Sequence, residues 1–374
     1  MKPVRHALSF HAPFGALILG VALAPLSSCA PARPDTRAAG PSISYSEASS
    51  ASPADPSLSV APVPQVAVLS EEDWTFATAQ GSVVRTANYR IFTTTDNPVM
   101  RQRLAAFLER ALVNYRTALG PLPAPPQRLD AYLMNNRPQW EAVTKQLMGD
   151  QADTLLKIPR GGYASRGFGV YYDIGLFDTL AIAGHEGWHQ YTQRVFKDQL
   201  PVWLEEGVAT FMEGHRWEEN TPIFKPWANV QRFDQLRTAA NKSGLLPLPD
   251  LLESRPQDFL DQTDDKVLTF YSQIWALVHF LNEGEGGKYR ASLRVLLEDA
   301  AQGRIRQTLA ARLGERAASS ALVQRTGPGV FLAYFSEDLD AVASEYSAFL
   351  QQLVQTGARG PIVEGRSPVR SVTQ

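Results

Sequence analysis

The segment AGHEGWHQYT, residues 183–192, constrains this chain more than any other stretch of it. Two histidines four apart share one face of an α-helix, a single turn from each other. Read as a helix, the segment lets His185 and His189 present two imidazole nitrogens to one metal ion. Glu186 lies about 100° further round, where it reaches a water on that ion without being a ligand itself. The competing reading is a histidine-bearing helix with no metal. The chain has six histidines; His6 and His11 fall in the leader described below, so half of the remainder sit in this motif. Gly184 and Gly187 each cost the helix about 1 kcal/mol relative to Ala, which points to close packing against a neighbour.

Length and composition set the scale. With 374 residues, 44% of them hydrophobic and 10% aromatic, the chain can bury a sizeable core in one large or two smaller lobes. A formal net charge of −2 gives no electrostatic footprint for nucleic acid, so no nucleic-acid partner is expected.

The only cysteine, Cys29, ends a leader. Lys2 and Arg5 precede an apolar run from about residue 12 to 26, too short to span a bilayer comfortably, and small residues follow it. This is the layout of an export signal. Leu26-Ser27-Ser28-Cys29 resembles the lipobox of bacterial lipoproteins. The resemblance implies a signal peptide over 1–28 and a lipid-bearing Cys29 as the mature N-terminus. It also implies a place in the bacterial cell envelope, anchored by lipid at the outer membrane or facing the periplasm. With no second cysteine, the mature protein forms no intramolecular disulfide.

Residues 29–71, rich in Ala, Pro and Ser and without apolar periodicity, read as a flexible tether. Patterned sequence begins near Glu72. SVVRTANYRIFTTT reads as a hairpin, PVMRQRLAAFLERALVNYRTALG as a helix closed by Gly120, RLDAYLM as a strand and PQWEAVTKQLMG as a helix. Residues 161–175 alternate as a glycine-softened strand at a sheet edge, either an ordinary sheet member or a strand that pairs with an extended substrate. Asp178 is read as the N-cap of the motif helix, which runs to Phe196. After Leu200 the pattern is helical, with helices over 201–215, 268–283, 287–302, 316–323 and 337–355. The expected fold is α+β: a small mixed sheet with helices in a front lobe, about 72–200, and a mostly helical lobe, about 201–360. The motif helix lies at their junction, and a disordered tail covers 361–374.

Catalytic zinc takes three protein ligands and an open position, so a third ligand must be found. LPVWLEEGVATFMEGHRW offers Glu205 and Glu206 in an otherwise apolar turn. Carboxylates there are costly to bury unless a cation compensates; the alternative is two solvated glutamates near the positive end of the helix dipole. Thr210 can orient a ligand, although a bond to its own helix backbone is the simpler role. His215 and His279 read as surface or core histidines.

His185-Glu186-x-x-His189 followed by Trp203-Leu204-Glu205-Glu206-Gly207-Val208-Ala209 resembles the gluzincin superfamily of zinc metallopeptidases, over roughly residues 80–285. The resemblance implies a zincin-like fold with one Zn2+ per chain, held by His185, His189 and Glu206, and leaves Glu205 as a flanking surface carboxylate. It makes Glu186 the general base. FYSQIWALVHFL resembles the segment that supplies an oxyanion-binding tyrosine in the aminopeptidase branch, which gives that role to Tyr271. The chain departs from that branch at Gln273 and Ile274 and lacks its amine-binding Gly-x-Met-Glu-Asn motif. It looks closer to poorly characterised bacterial gluzincin-like proteins. The implied activity is hydrolysis of peptide or protein substrates by a membrane-anchored peptidase; the rival is a binding or scaffolding lipoprotein of the same fold without turnover.

Overall fold

β-branched and aromatic residues alternate from Val83 to Thr93, and this stretch forms a hairpin onto which one further strand is added. The computed structural model describes residues 67–259 and 264–369; the expected signal peptide, Cys29 and most of the tether lie outside these residues. Strands β1 (Ser70–Phe76), β2 (Ala79–Arg85) and β3 (Tyr89–Thr93) form an antiparallel meander. β1 starts at Ser70, inside the stretch read as tether, so sheet structure begins slightly earlier than the pattern implied. Helix α1 (Pro98–Thr117) follows, capped by the Asn97 side chain. Next come β4 (Leu129–Met134), α2 (Arg137–Met148) and the single turn α3 (Ala152–Leu155).

The glycine-softened segment is not one strand. It is a hairpin of β5 (Gly162–Ser165) and β6 (Phe168–Tyr172), turned at Arg166 and Gly167, which both have positive φ. A turn with positive φ at both central residues matches the twist of the flanking strands. The six strands form a mixed sheet in the order β1-β2-β3-β4-β6-β5, with parallel pairing of β3 to β4 and of β4 to β6. On one face, Trp140 of α2 packs with Tyr163, Val170 and Tyr172 in a core cluster. α1 and α4 (Leu176–Val195), the motif helix, cover the other.

The rest is mostly helical: α5 (Val202–Met212), a short hairpin of β7 (His215–Glu218) and β8 (Thr221–Phe224), then α6 (Val230–Asn241), α7 (Leu248–Glu253), α8 (Asp264–Glu283) and α9 (Arg290–Gln302). α10 (Ile305–Leu313), α11 (Glu315–Gln324), α12 (Gly329–Tyr334), α13 (Leu339–Leu353) and α14 (Arg359–Val363) complete it. The expected α+β class holds, with the mixed sheet in the N-terminal part and a mostly helical C-terminal part. The β7–β8 hairpin interrupts what the sequence pattern gave as all-helical. Order also runs past 361, because Ile362 of α14 is fully buried; only residues 370–374 of the expected tail lie outside the described residues. All described residues belong to one compact unit.

Candidate metal centre

α4 is buried from Thr179 through Thr192 with only one break, so its polar motif residues sit inside protein rather than at a surface. The cap is Gly175, at φ 105°, not Asp178. Asp178 lies in the first turn, where it pairs with Arg160 at 3.1 Å. The helix glycines are explained by close approach. A Cβ on Gly187 would lie 2.3 Å from the Tyr115 hydroxyl, and one on Gly184 would lie 3.2 Å from the Met212 carbonyl oxygen. Tyr115 in turn donates to the Gly184 carbonyl at 2.8 Å, locking α1 onto α4.

α5 runs antiparallel to α4: His189 meets Glu205, and His185 meets Glu213 just beyond the α5 C-terminus. His185, His189 and Glu206 each offer a ligand atom, all within 4.8 Å of one another. Glu206 Oε2 lies 3.4 Å from His185 Nε2 and 3.7 Å from His189 Nε2. All three atoms, and Glu186 Oε2, are buried without a hydrogen-bond partner. Buried polar atoms are normally paired, so three converging orphans, with a fourth on the neighbouring Glu186, call for a cation or for water. Two imidazoles and a carboxylate fit zinc.

Both imidazoles are oriented from behind. His185 Nδ1 lies 2.9 Å from Glu213 Oε1, and His189 Nδ1 lies 2.9 Å from Glu205 Oε1. A carboxylate only accepts, so each Nδ1 carries a proton, and Nε2, which faces Glu206, is the nitrogen left for a metal ion. Glu205 also accepts from the Thr192 hydroxyl at 2.9 Å. Glu213 is gripped by Arg232, whose Nη2 and Nε donate at 2.8 and 3.1 Å, and by Asn229 Nδ2 at 2.7 Å. Glu205 is therefore not the flanking surface carboxylate the resemblance implied: it is 8% exposed and holds a histidine. Sequence reasoning missed Glu213, Arg232 and Asn229. Glu213 left a trace, since it lies seven residues past Glu206, two turns along one helix face. Arg232 and Asn229 belong to the start of α6, beyond a hairpin, and left none.

Electrostatics follow from burial against charge. Burial opposes ionisation of Glu206, but His189 and His185 outweigh it and hold its pKa far below the ordinary carboxylate value. Glu213 is likewise held down to about 2, because Arg232 and His185 overcome its burial. Burial works against a charged His189, yet Glu206 and Glu205 raise its pKa to about 10. Glu186 goes the other way: burial dominates and pushes it up to about 7.

Tyr271 of α8 reaches the same place. Its ring centroid lies 6.1 Å from that of His185, and the Arg232 guanidinium stands 5.2 Å from its centroid. Gly207 permits this approach, since a Cβ there would meet Val278 at 2.9 Å and the Ile274 carbonyl at 3.0 Å, both on α8. Burial, with Glu206, raises the phenol pKa well above its usual value.

The other candidates lie apart from the ligand cluster. Thr210 donates to the carbonyls of Glu206 and Gly207 in its own helix. His215 and His279 are core residues; His279 stacks on Trp227 at 3.6 Å between centroids. The free edge of β5 is partly taken by α4 itself. The Ala164 carbonyl accepts from Gln193 Nε2 at 3.1 Å, and the Ala164 N–H lies against Glu186. The chain matches no family model, and no curated protein matches it significantly.

Proposed function

We propose that this chain is a zinc-dependent peptidase of gluzincin type, anchored to a membrane of the bacterial cell envelope through lipid on Cys29. The observation that carries the reading is the convergence of His185 Nε2, His189 Nε2 and Glu206 Oε2, buried, unpartnered and mutually within 4.8 Å. Zinc in such a site supplies Lewis acidity, making water nucleophilic near neutral pH. The protein's own part is proton traffic and positioning. Glu186, the residue after His185 on α4, takes a proton from the attacking water and returns it to the leaving amine. Tyr271 lies beside His185, where a phenolic hydroxyl can donate to the oxyanion as charge develops on the carbonyl. Glu205 and Glu213 keep the two histidines in the ligating tautomer.

One observation favours a second reading, a binding or scaffolding protein that holds zinc without turnover: His185, Glu186 and His189 are each only 1% exposed. Glu186→Gln separates the two. Gln cannot take a proton at neutral pH but keeps the size of the side chain. Under the peptidase reading, the variant retains zinc and melting temperature while cleavage of a diverse peptide library falls by at least about 10². A zinc-loaded wild type that cleaves nothing in the library, or a variant as active as wild type, transfers the site to the second reading.

A further inference from the structure

On the sheet face away from α4, five side chains line a cavity of about 370 Å³: Arg85, Arg90, Gln127, Arg128 and Asp130. Strand register puts three of them there. Arg85 stands opposite Arg90, and Arg90 opposite Asp130, so the three share one face of β2, β3 and β4. The next strand continues that row at Phe168, two residues before Val170, which packs under α2. The metal centre packs against the opposite face, so this cavity is a separate place in the molecule.

Its charges do not balance. Three guanidiniums face one carboxylate in the lining. Arg90 is spent on Asp130, donating through Nε and Nη2 at 2.8 and 2.5 Å. Arg85 reaches only the exposed Glu72, through Nη2 at 3.4 Å, and its Nε is buried without a partner. Arg128 uses Nε on the Thr86 carbonyl at 2.9 Å and meets no carboxylate. Clustered guanidiniums repel one another, Arg128 meets no carboxylate and Arg85 holds Glu72 by one long contact only, so charge and terminal N–H groups remain here for an anion. Planar guanidinium forks match the oxygens of a phosphate group. The cavity is open to solvent on one side, so a phosphate ester can enter it with its alcohol side outward.

We propose that this cavity binds a phosphate group, as the free ion or as the headgroup of a phospholipid. Its location fits the second source. The Leu69 N–H donates to the Arg85 carbonyl at 2.7 Å, so the first described residues run beside the cavity. Val68 and Leu69 there are 51% and 59% exposed, an apolar step next to the arginines.

The test uses the purified protein, with Arg85→Gln and Arg128→Gln singly and together, in two arms. Isothermal titration with inorganic phosphate at constant ionic strength reads the shared chemistry. Co-sedimentation with phosphatidylcholine vesicles, with and without phosphatidylglycerol, reads the headgroup. The expected result is saturable phosphate binding that weakens by about tenfold or more in the double variant, with zinc content and melting temperature unchanged. A preference for phosphatidylglycerol that the same variant loses assigns the site to headgroups; phosphate binding without that preference assigns it to the free ion. If Arg128→Gln fails to fold for want of its Thr86 bond, Arg85→Gln alone carries the comparison. No phosphate binding together with no anionic-lipid preference overturns the proposal, and so does binding that Arg85→Gln leaves untouched.

Discussion

Glu205 and Glu206 are neighbours in sequence, yet they do different work because they stand about 100° apart on α5. Glu206 turns Oε2 to the two histidine Nε2 atoms; Glu205 reaches past to His189 Nδ1 and the Thr192 hydroxyl. Graded losses follow. Glu206→Ala removes a ligand and should abolish tight zinc binding. Glu205→Ala leaves all three ligands but frees the His189 ring to choose its tautomer, so zinc affinity should drop by about 10- to 100-fold. Competition with a chelating dye measures both. Equal losses, or a Glu205→Ala protein indistinguishable from wild type, would show that the His189–Glu205 hydrogen bond does not orient the ligand. The two histidines were legible in sequence because their spacing is local to one helix, whereas Glu206 was separated from Glu205 only by the resemblance of the segment around it. The Glu213–Arg232–Asn229 support was not legible, because it exists only once α6 folds back onto the end of α5.

At the scale of elements, α4 carries two glycines against its own propensity, and Gly187 shows why. An Ala there would gain about 1 kcal/mol of helix propensity, but its Cβ would sit 2.3 Å from the Tyr115 hydroxyl. Overpacking of this kind costs about 1–3 kcal/mol, so the net effect of Gly187→Ala should be destabilising. Adding Tyr115→Phe removes the clashing oxygen and should recover part of the loss. Denaturant unfolding of the single and double variants checks this; a Gly187→Ala protein as stable as wild type would mean α1 shifts freely and does not fix α4. Helices α1, α2, α4, α5 and α8 were readable because each combines apolar periodicity with a length that strands do not reach. β7 and β8 were not. Each has four residues, Pro222 sits in the second, and their pairing stabilises them only as a hairpin. β1 hid behind three consecutive acids, Glu71 to Asp73, which mask its alternation and suit it to an exposed edge.

At the scale of the whole molecule, Cys29 and the metal centre bear on separate properties, location and stability. If Cys29 carries the lipid, Cys29→Ser should move the protein from the membrane fraction to the soluble one without altering zinc content; a variant still held by membranes removes the lipid from the account. If the centre holds zinc, stability rests on it for a structural reason. With one cysteine the chain has no intramolecular disulfide, and the three proposed zinc ligands come from α4, packed on the sheet, and from α5, packed on α8. A zinc ion would therefore cross-link the sheet part to the helical part. Binding to the folded state alone stabilises it by about 4 kcal/mol when free zinc is a thousandfold above its Kd. For the roughly 300 described residues that is about 6 °C of melting temperature. Dialysis against a strong chelator should lower the melting temperature by about that much, and zinc, but not magnesium, should restore it, since magnesium prefers an all-oxygen octahedron. Glu186→Gln, which leaves every ligand in place, should show the full shift, whereas Glu206→Ala should show almost none. A wild type whose melting temperature ignores both chelator and zinc would mean that the four orphaned atoms are satisfied by water, and the centre would hold no metal.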